Sequence, residues 1–187
     1  MPIENERKYV LHPSIEEELS SLTSVCYKID QGYIQNSAEG LQVRFRKVRS
    51  YKHDKKYDTK RIFTLKSKNA DFTSTEIETE VSKDDFKAVW PKVTNQLSKT
   101  RHKVFELEGY WEIDVFHGPN GNYFWMAEIE LPDKKEWPDS VPEYITKHLL
   151  FKVPLTDNRF SSRKLYDETY ANNILNTLLE GKSNESE

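Results

Sequence analysis

Cys26 is the only cysteine in a chain of 187 residues. That absence excludes an internal disulfide and any zinc site built on several cysteines, and it fits a reducing compartment. The five histidines, His12, His53, His102, His117 and His148, fall at no ligand spacing. There is no apolar run of about 18 residues and no charged-then-apolar leader, so neither a membrane span nor a signal peptide is expected, and a cytoplasmic location is. A dominant sign of charge is also missing. The 28 bases and 31 acids leave a net −3, which gives no overall attraction to nucleic acid or to an anionic membrane. No fixed-period repeat and no linker-like composition divides the chain. One domain over residues 1–180 is expected, with a solvated tail over residues 181–187.

What the chain has in abundance is charge arranged at period two. Charged residues make up 32% of it, while 12% aromatics argue against disorder. Alternate residues of a strand share a face. Glu4, Glu6 and Lys8 therefore share one, as do Arg44 and Arg46 opposite Leu41, Val43 and Phe45. The same device recurs with Lys66 and Lys68, with Glu76, Glu78 and Glu80, with Arg101 and Lys103, with Glu112 and Asp114, and with Glu128 and Glu130. Strands are also expected over Val25 to Gln35 and, around the Gly118-Pro119-Asn120-Gly121-Asn122 turn, as an antiparallel hairpin.

Between these runs, residues 47–60 are polar and basic without periodicity and read as a loop. Asn36 to Gly40 reads as a turn, and Ser14 as the cap of a short helix over Ile15 to Leu19. Ser82 caps a predicted helix carrying Phe86, Val89, Trp90, Val93 and Leu97, with Pro91 inside it as a kink. Helices are also expected over Tyr144 to Leu150 and Leu165 to Leu179.

One solvated sheet face explains any single alternating strand. It does not explain charge segregated by strand, because an ordinary exposed face mixes signs and like charges across a pair are destabilising. Such segregation is relieved by ligands of both signs, and a polyanion with a divalent cation supplies both. About eight antiparallel strands close into a barrel wide enough for a small ligand. The fold expected is α+β: an eight-stranded antiparallel β-barrel, charged within and apolar outside under helices.

The run Glu4-x-Glu6-x-Lys8, then Gln31-Gly32-Tyr33-Ile34, Val43-Arg44-Phe45-Arg46, Glu76-x-Glu78-x-Glu80, Trp111 to Phe116 and Ala127 to Leu131, resembles in this order the CYTH superfamily, the triphosphate tunnel metalloenzymes. The resemblance covers residue 3 to about residue 166, and Gln31-Gly32-Tyr33 is more like the bacterial inorganic triphosphatase branch. It implies a tunnel that acts on triphosphates with Mg²⁺ or Mn²⁺. Asp157-Asn158-Arg159-Phe160-Ser161-Ser162 is similar to the family's late Asp-x-Arg-Tyr-Ser-Asn run, with Phe160 and Ser162 in place of Tyr and Asn.

Following the resemblance, Lys8, Arg44, Arg46, Lys66, Lys68, Arg101 and Lys103 are assigned to the triphosphate, joined by Arg159 and Lys164. Glu4, Glu6, Glu128 and Glu130 are assigned to the metal. Glu76, Glu78, Glu80, Glu112 and Asp114 are left for a second metal or for the attacking water. Phosphoryl transfer needs positioning and charge neutralisation, so the lack of a serine or cysteine nucleophile motif is no obstacle. The expected reaction is hydrolysis of inorganic tripolyphosphate to pyrophosphate and phosphate. The alternatives are a class IV-type adenylyl cyclase, a nucleoside or RNA 5′-triphosphatase, and a non-catalytic module that binds triphosphate or polyphosphate. The expected partner is the small-molecule substrate, with no membrane, with nucleic acid only if RNA 5′-triphosphate is that substrate, and with a homodimer left open.

Overall fold

The computed structural model describes residues 3–22, 25–34, 41–53, 55–68, 74–107, 109–132 and 134–184. Its strands are β1 (Ile3–Glu4), β2 (Glu6–Leu11), β3 (Val25–Ile34), β4 (Leu41–Lys52), β5 (Lys55–Lys68), β6 (Ser74–Glu80), β7 (Asn95–Glu106), β8 (Gly109–Gly118), β9 (Gly121–Glu130) and β10 (Leu149–Lys152). The helices are α1 (Glu16–Leu22), α2 (Lys83–Val89), α3 (Glu143–Thr146), α4 (Ser162–Leu165) and α5 (Glu168–Asn184). All strands join one antiparallel sheet in the order β1-β6-β5-β4-β3-β7-β8-β9-β2-β10, an α+β architecture. Among the described residues no helix is long and apolar enough to cross a membrane.

Ten strands stand where eight were expected, for two local reasons. The N-terminal run is interrupted at Asn5, whose side-chain amide donates to the carbonyls of Pro132 and Lys135, both at 2.9 Å. β1 therefore pairs with β6 while β2 pairs with β9, so one residue links segments near opposite ends of the sheet order. The second reason is β10. The helix expected over Tyr144 to Leu150 is only the single turn α3, after which Phe151 and Lys152 pair with Val10 and Tyr9 of β2.

Other expectations are corrected as well. Residues 47–60 are not a loop: β4 and β5 continue as a paired hairpin, with Val48 opposite Lys60 and Ser50 opposite Asp58. The tip of that hairpin, from Lys52 to Tyr57, is exposed where it is described, so neither face needs apolar residues and the period-two signal vanishes. Pro91 ends the second helix instead of kinking it. α2 stops at Val89, Trp90–Lys92 is a 3-10 turn, and Leu97 is buried in β7. Ser82 caps α2 as expected, accepting from the Asp85 amide at 3.1 Å. The cap before α1 is His12, not Ser14, with its Nδ1 accepting from the Ser14 amide at 3.1 Å. Asp167 accepts from the Tyr170 amide at 3.0 Å and so divides the terminal helix into α4 and α5. α5 runs to Asn184, past the expected start of the tail. The Asn36–Gly40 turn lies outside the described residues.

One face of the sheet is apolar. Tyr9, Leu11, Trp111, Ile113, Val115, Ala127 and Ile129 belong to the main core, which also takes in Leu19 of α1 and Ala171 and Leu175 of α5. A smaller cluster of Phe45, Phe86 and Val93 lies where α2 and the turn after it cover β4. The other face carries the charge.

Candidate active site

Register decides which charged side chains meet. Lys66 stands opposite Glu76, Thr64 opposite Glu78, Arg101 opposite Asp114, Lys103 opposite Glu112 and Lys8 opposite Glu128. Basic β5 lies beside acidic β6 and basic β7 beside acidic β8, while β4 lies beside β5 and its arginines reach across that strand to the acids of β6. The cost expected from segregating charge by strand is thus met within the protein by cross-strand ion pairs. Arg44 reaches Glu76 at 2.6 Å and Glu78 at 3.2 Å, and Arg46 also pairs with Glu78. Lys66 lies 3.4 Å from Glu76 and 4.0 Å from Glu6.

A second network joins β2, β7, β8 and β9. Asp114, wholly buried, takes Lys99 at 2.5 Å and Arg101 at 2.6 Å. The Arg101 guanidinium extends to Glu128 at 2.7 Å and to Glu112, while Lys103 meets Glu112 at 2.6 Å. Lys8 lies between Glu128 and Glu6, 2.8 Å from the latter. Apart from Asp114, these side chains line one cavity of about 890 Å³. Phe160 also lines it, packed on Phe124 and Phe151 with ring centroids 6.2 and 5.6 Å away, so the phenylalanine of the late motif forms part of an apolar wall.

Burial by itself would raise the pKa of Glu128, yet Lys8, Arg101 and Lys99 outweigh it and hold the carboxyl well below its ordinary range. Glu78 follows the same logic: desolvation is overcome by hydrogen bonds and by Arg46 and Arg44, which bring it down to about 2. Burial pushes Arg46 down to about 10, and neighbouring Arg44 adds to that. Lys99 is lowered by burial and then by Arg101, against the pull of Asp114. The cavity therefore holds ionised acids beside two bases, Arg46 and Lys99, whose positive charge is destabilised by burial, while Glu128 and Glu6 outweigh burial at Lys8, and Asp114, Glu112 and Glu128 outweigh it at Arg101. An incoming anion would relieve Arg46 and Lys99.

Of the expected anion-binding residues, Lys8, Arg44, Arg46, Lys66, Arg101 and Lys103 come together in this cavity. Lys68 lies on β5 opposite Ser74, and its side chain is outside the described residues. Arg159 and Lys164 are not brought into the lining. Arg159 pairs with Asp157 at 2.7 Å and Lys164 donates to Asn158 at 2.7 Å, while the neighbouring Arg163 lines the cavity instead. Among the acids, Glu76, Glu78 and Glu112 line the cavity, Asp114 is enclosed behind Lys99 and Arg101, and Glu80 is exposed at the end of β6 outside the lining. Reading the sequence missed Lys99. Its spacing to Arg101 and Lys103 carries the signal, but the predicted helix extends to Leu97 and the strand-like run is read only from Arg101, so Lys99 falls between the two.

Glu6 and Glu130 are direct register partners, as are Glu112 and Glu128, two like-charge pairs on adjoining strands. Glu6, Glu128 and Glu130 all line the cavity, and the Glu128 charge acts directly on Glu6. Such oxygen donors suit a hard divalent cation in their chemistry. As the side chains stand, with Lys8 and Arg101 between the acids, no three acidic, histidine or cysteine groups among the described residues converge closely enough to hold an ion. The side chain of Glu4 lies outside the described residues.

The sequence matches no protein-family model and no curated protein. The fold matches solved structures. One is the inorganic triphosphatase NE1496, at 22% identity over 89% of this chain and 95% of that one, with a TM-score of 0.52. Another is the PH1819 protein from Pyrococcus horikoshii OT3, at 22% identity over 77% and 85% of the two chains, also with a TM-score of 0.52. At these identities the likeness is one of fold. The strand order, the charged face and these structural neighbours agree with the ordered motifs of the sequence: the chain has the CYTH-type fold.

Proposed function

We propose that the chain hydrolyses the phosphoanhydride bond of a triphosphate, inorganic tripolyphosphate in the first place, within its charged cavity. The observation that carries this reading is the convergence of Lys8, Arg44, Arg46, Lys66, Lys99, Arg101 and Lys103 on one cavity of about 890 Å³, a size suited to a small ligand. The likeness of fold to an inorganic triphosphatase supports it.

In this reading the eight long strands close into a tunnel through the joint at Asn5, with β1 and β2 acting as one strand between β6 and β9. The charges of Lys8 on β2 and Lys66 on β5 both act on the buried Tyr33 phenol of β3, as the two sides of an enclosure would. Arg44, Arg46 and Arg101 supply planar forks for phosphate oxygens, and Lys66, Lys99 and Lys103 supply point charges. When bound, Mg²⁺ or Mn²⁺ at Glu6, Glu128 and Glu130, with Glu4, would neutralise charge on phosphate oxygens. Lys8 and Arg101 then turn from these carboxylates to the substrate. Glu78 and Glu112 reach both the cavity and its bases, and we assign them to the attacking water. At a pKa of about 2, Glu78 is too weak a base to abstract its proton and orients the water by accepting a hydrogen bond. Water adds to the terminal phosphorus as the bridging P–O bond breaks, its electron pair leaving on pyrophosphate and the water's proton passing to a phosphate oxygen, giving phosphate and pyrophosphate.

The test is a panel of tripolyphosphate, ATP, thiamine triphosphate and 5′-triphosphate RNA, each with Mg²⁺ or Mn²⁺, assayed for phosphate, pyrophosphate and cyclic AMP. Phosphate and pyrophosphate in equal amounts from tripolyphosphate support the assignment. Pyrophosphate with cyclic AMP from ATP would make the chain a cyclase, and no turnover of any compound would leave a binding module.

A further inference from the structure

The opposite face of the sheet holds a second group of bases that the proposed reaction does not use. Arg61, Lys47, Asp30, Ser98 and His117 stand directly opposite one another, strand by strand, across β5, β4, β3, β7 and β8. This polar row crosses the face that elsewhere carries the two hydrophobic clusters. A cavity of about 700 Å³ opens over it, walled by α2 with Lys83, Phe86 and Lys87, and by Trp90 beyond.

The charge in this cavity is unbalanced. Four bases, Lys47, Arg61, Lys83 and Lys87, face two acids, Asp30 and Glu168. Asp30 is already engaged, accepting from Arg49 at 2.7 Å and from the Ser98 hydroxyl at 3.0 Å. Lys47 and Arg61 are direct register partners, a like-charge pair that costs stability unless an anion lies between them. Among the described residues none of the four bases makes an ion pair. The main cavity differs in this respect, since there Lys8, Arg44, Arg46, Lys66, Lys99, Arg101 and Lys103 each pair with an acid.

Aromatic surface adjoins the bases. Phe86 and Trp90 stack with centroids 5.0 Å apart and planes 20° apart, and both line the cavity. Bases that could hold a phosphate beside a ring stack that could flank a planar group make a site for one kind of molecule.

We propose that this outer cavity is a second ligand site, for a phosphorylated aromatic compound of the nucleoside monophosphate class. Lys47, Arg61, Lys83 and Lys87 take the phosphate, and Trp90 backed by Phe86 takes the base. A monophosphate carries no phosphoanhydride bond, so the site is distinct from the proposed reaction and does not rest on it.

The test is calorimetric titration of the full chain with adenosine 5′-monophosphate, without divalent metal, beside inorganic phosphate and adenosine. The expected result is one monophosphate bound per chain and more tightly than either fragment. Lys83→Glu with Lys87→Glu, on the exposed side of a short helix, should weaken binding about tenfold or more. Trp90→Ala should weaken the nucleotide and not phosphate, and Arg44→Ala, on the other face, should leave binding unchanged. No binding to the wild-type chain up to about 1 mM would overturn the proposal. So would binding that is lost in Arg44→Ala but kept in the α2 double variant, or phosphate binding as tightly as the nucleotide.

Discussion

Asp114 has no exposed surface, and its oxygens are divided between Lys99 and Arg101. Its work is therefore to hold two cations in place, and a direct part in handling water falls to acids that reach the cavity. Asp114→Ala would leave Lys99 buried against Arg101 without the carboxylate that pairs directly with both. Removing one partner of a buried pair costs about 3–5 kcal/mol, and urea denaturation should show a loss of that order. Arg44 differs, being bound to two acids at the cavity wall. Arg44→Ala should fold with a thermal midpoint close to wild type yet lower kcat/KM for tripolyphosphate by about tenfold or more. Glu6→Gln should fold and require more Mn²⁺ for half-maximal turnover, and an unchanged manganese titration would remove Glu6 from the metal site. At this scale the sequence showed identity and facing well. Arg44, Arg101 and Glu128 needed only period-two spacing, whereas the engagement of Arg159 by Asp157 depends on loop geometry that no spacing encodes.

Among the elements, β3 is constrained by Gly32. A Cβ there would lie 2.0 Å from Cγ1 of Val93, a buried branched side chain with no room to swing aside. Gly32→Ala should therefore separate β3 from the turn after α2 and cost about 1–3 kcal/mol, measurable as a lowered denaturation midpoint. This gives the glycine of the Gln31-Gly32-Tyr33 motif a packing reason. Strands with one apolar and one charged face were legible, β6 and β8 above all. The outer hairpin of β4 and β5 was not, because beyond the core both faces are polar. Nor was β10 legible, a four-residue strand that exists through its pairing with β2. The start of β7 was lost to α2 because Val93 and Leu97 fit a helical spacing that Pro91 cuts short.

For the whole molecule, the paired acids set a pH dependence. Glu128, Asp114, Glu6 and Glu78 all have folded-state pKa values below their ordinary ones. Their contribution to stability is complete above the ordinary carboxylate range and is lost as pH falls through the folded values. For Glu78 the window runs from its ordinary value of 4.5 down to about 2. Thermal unfolding followed from neutral pH downward should show a midpoint that is steady to about pH 5 and falls steeply below it. The α+β class and the charged face could be read from the sequence because both follow from local alternation. The pairing of basic with acidic strands could not, since neighbour order is a property of topology.

The central claim is that the charged cavity binds and cleaves a triphosphate. It is tested most directly by phosphate release from tripolyphosphate with Mn²⁺, comparing the wild-type chain with Arg44→Ala at matched thermal midpoints. The account predicts turnover by the wild type that stops with chelator and falls about tenfold or more in the variant. Equal turnover by both proteins, or none by the wild type, would contradict it.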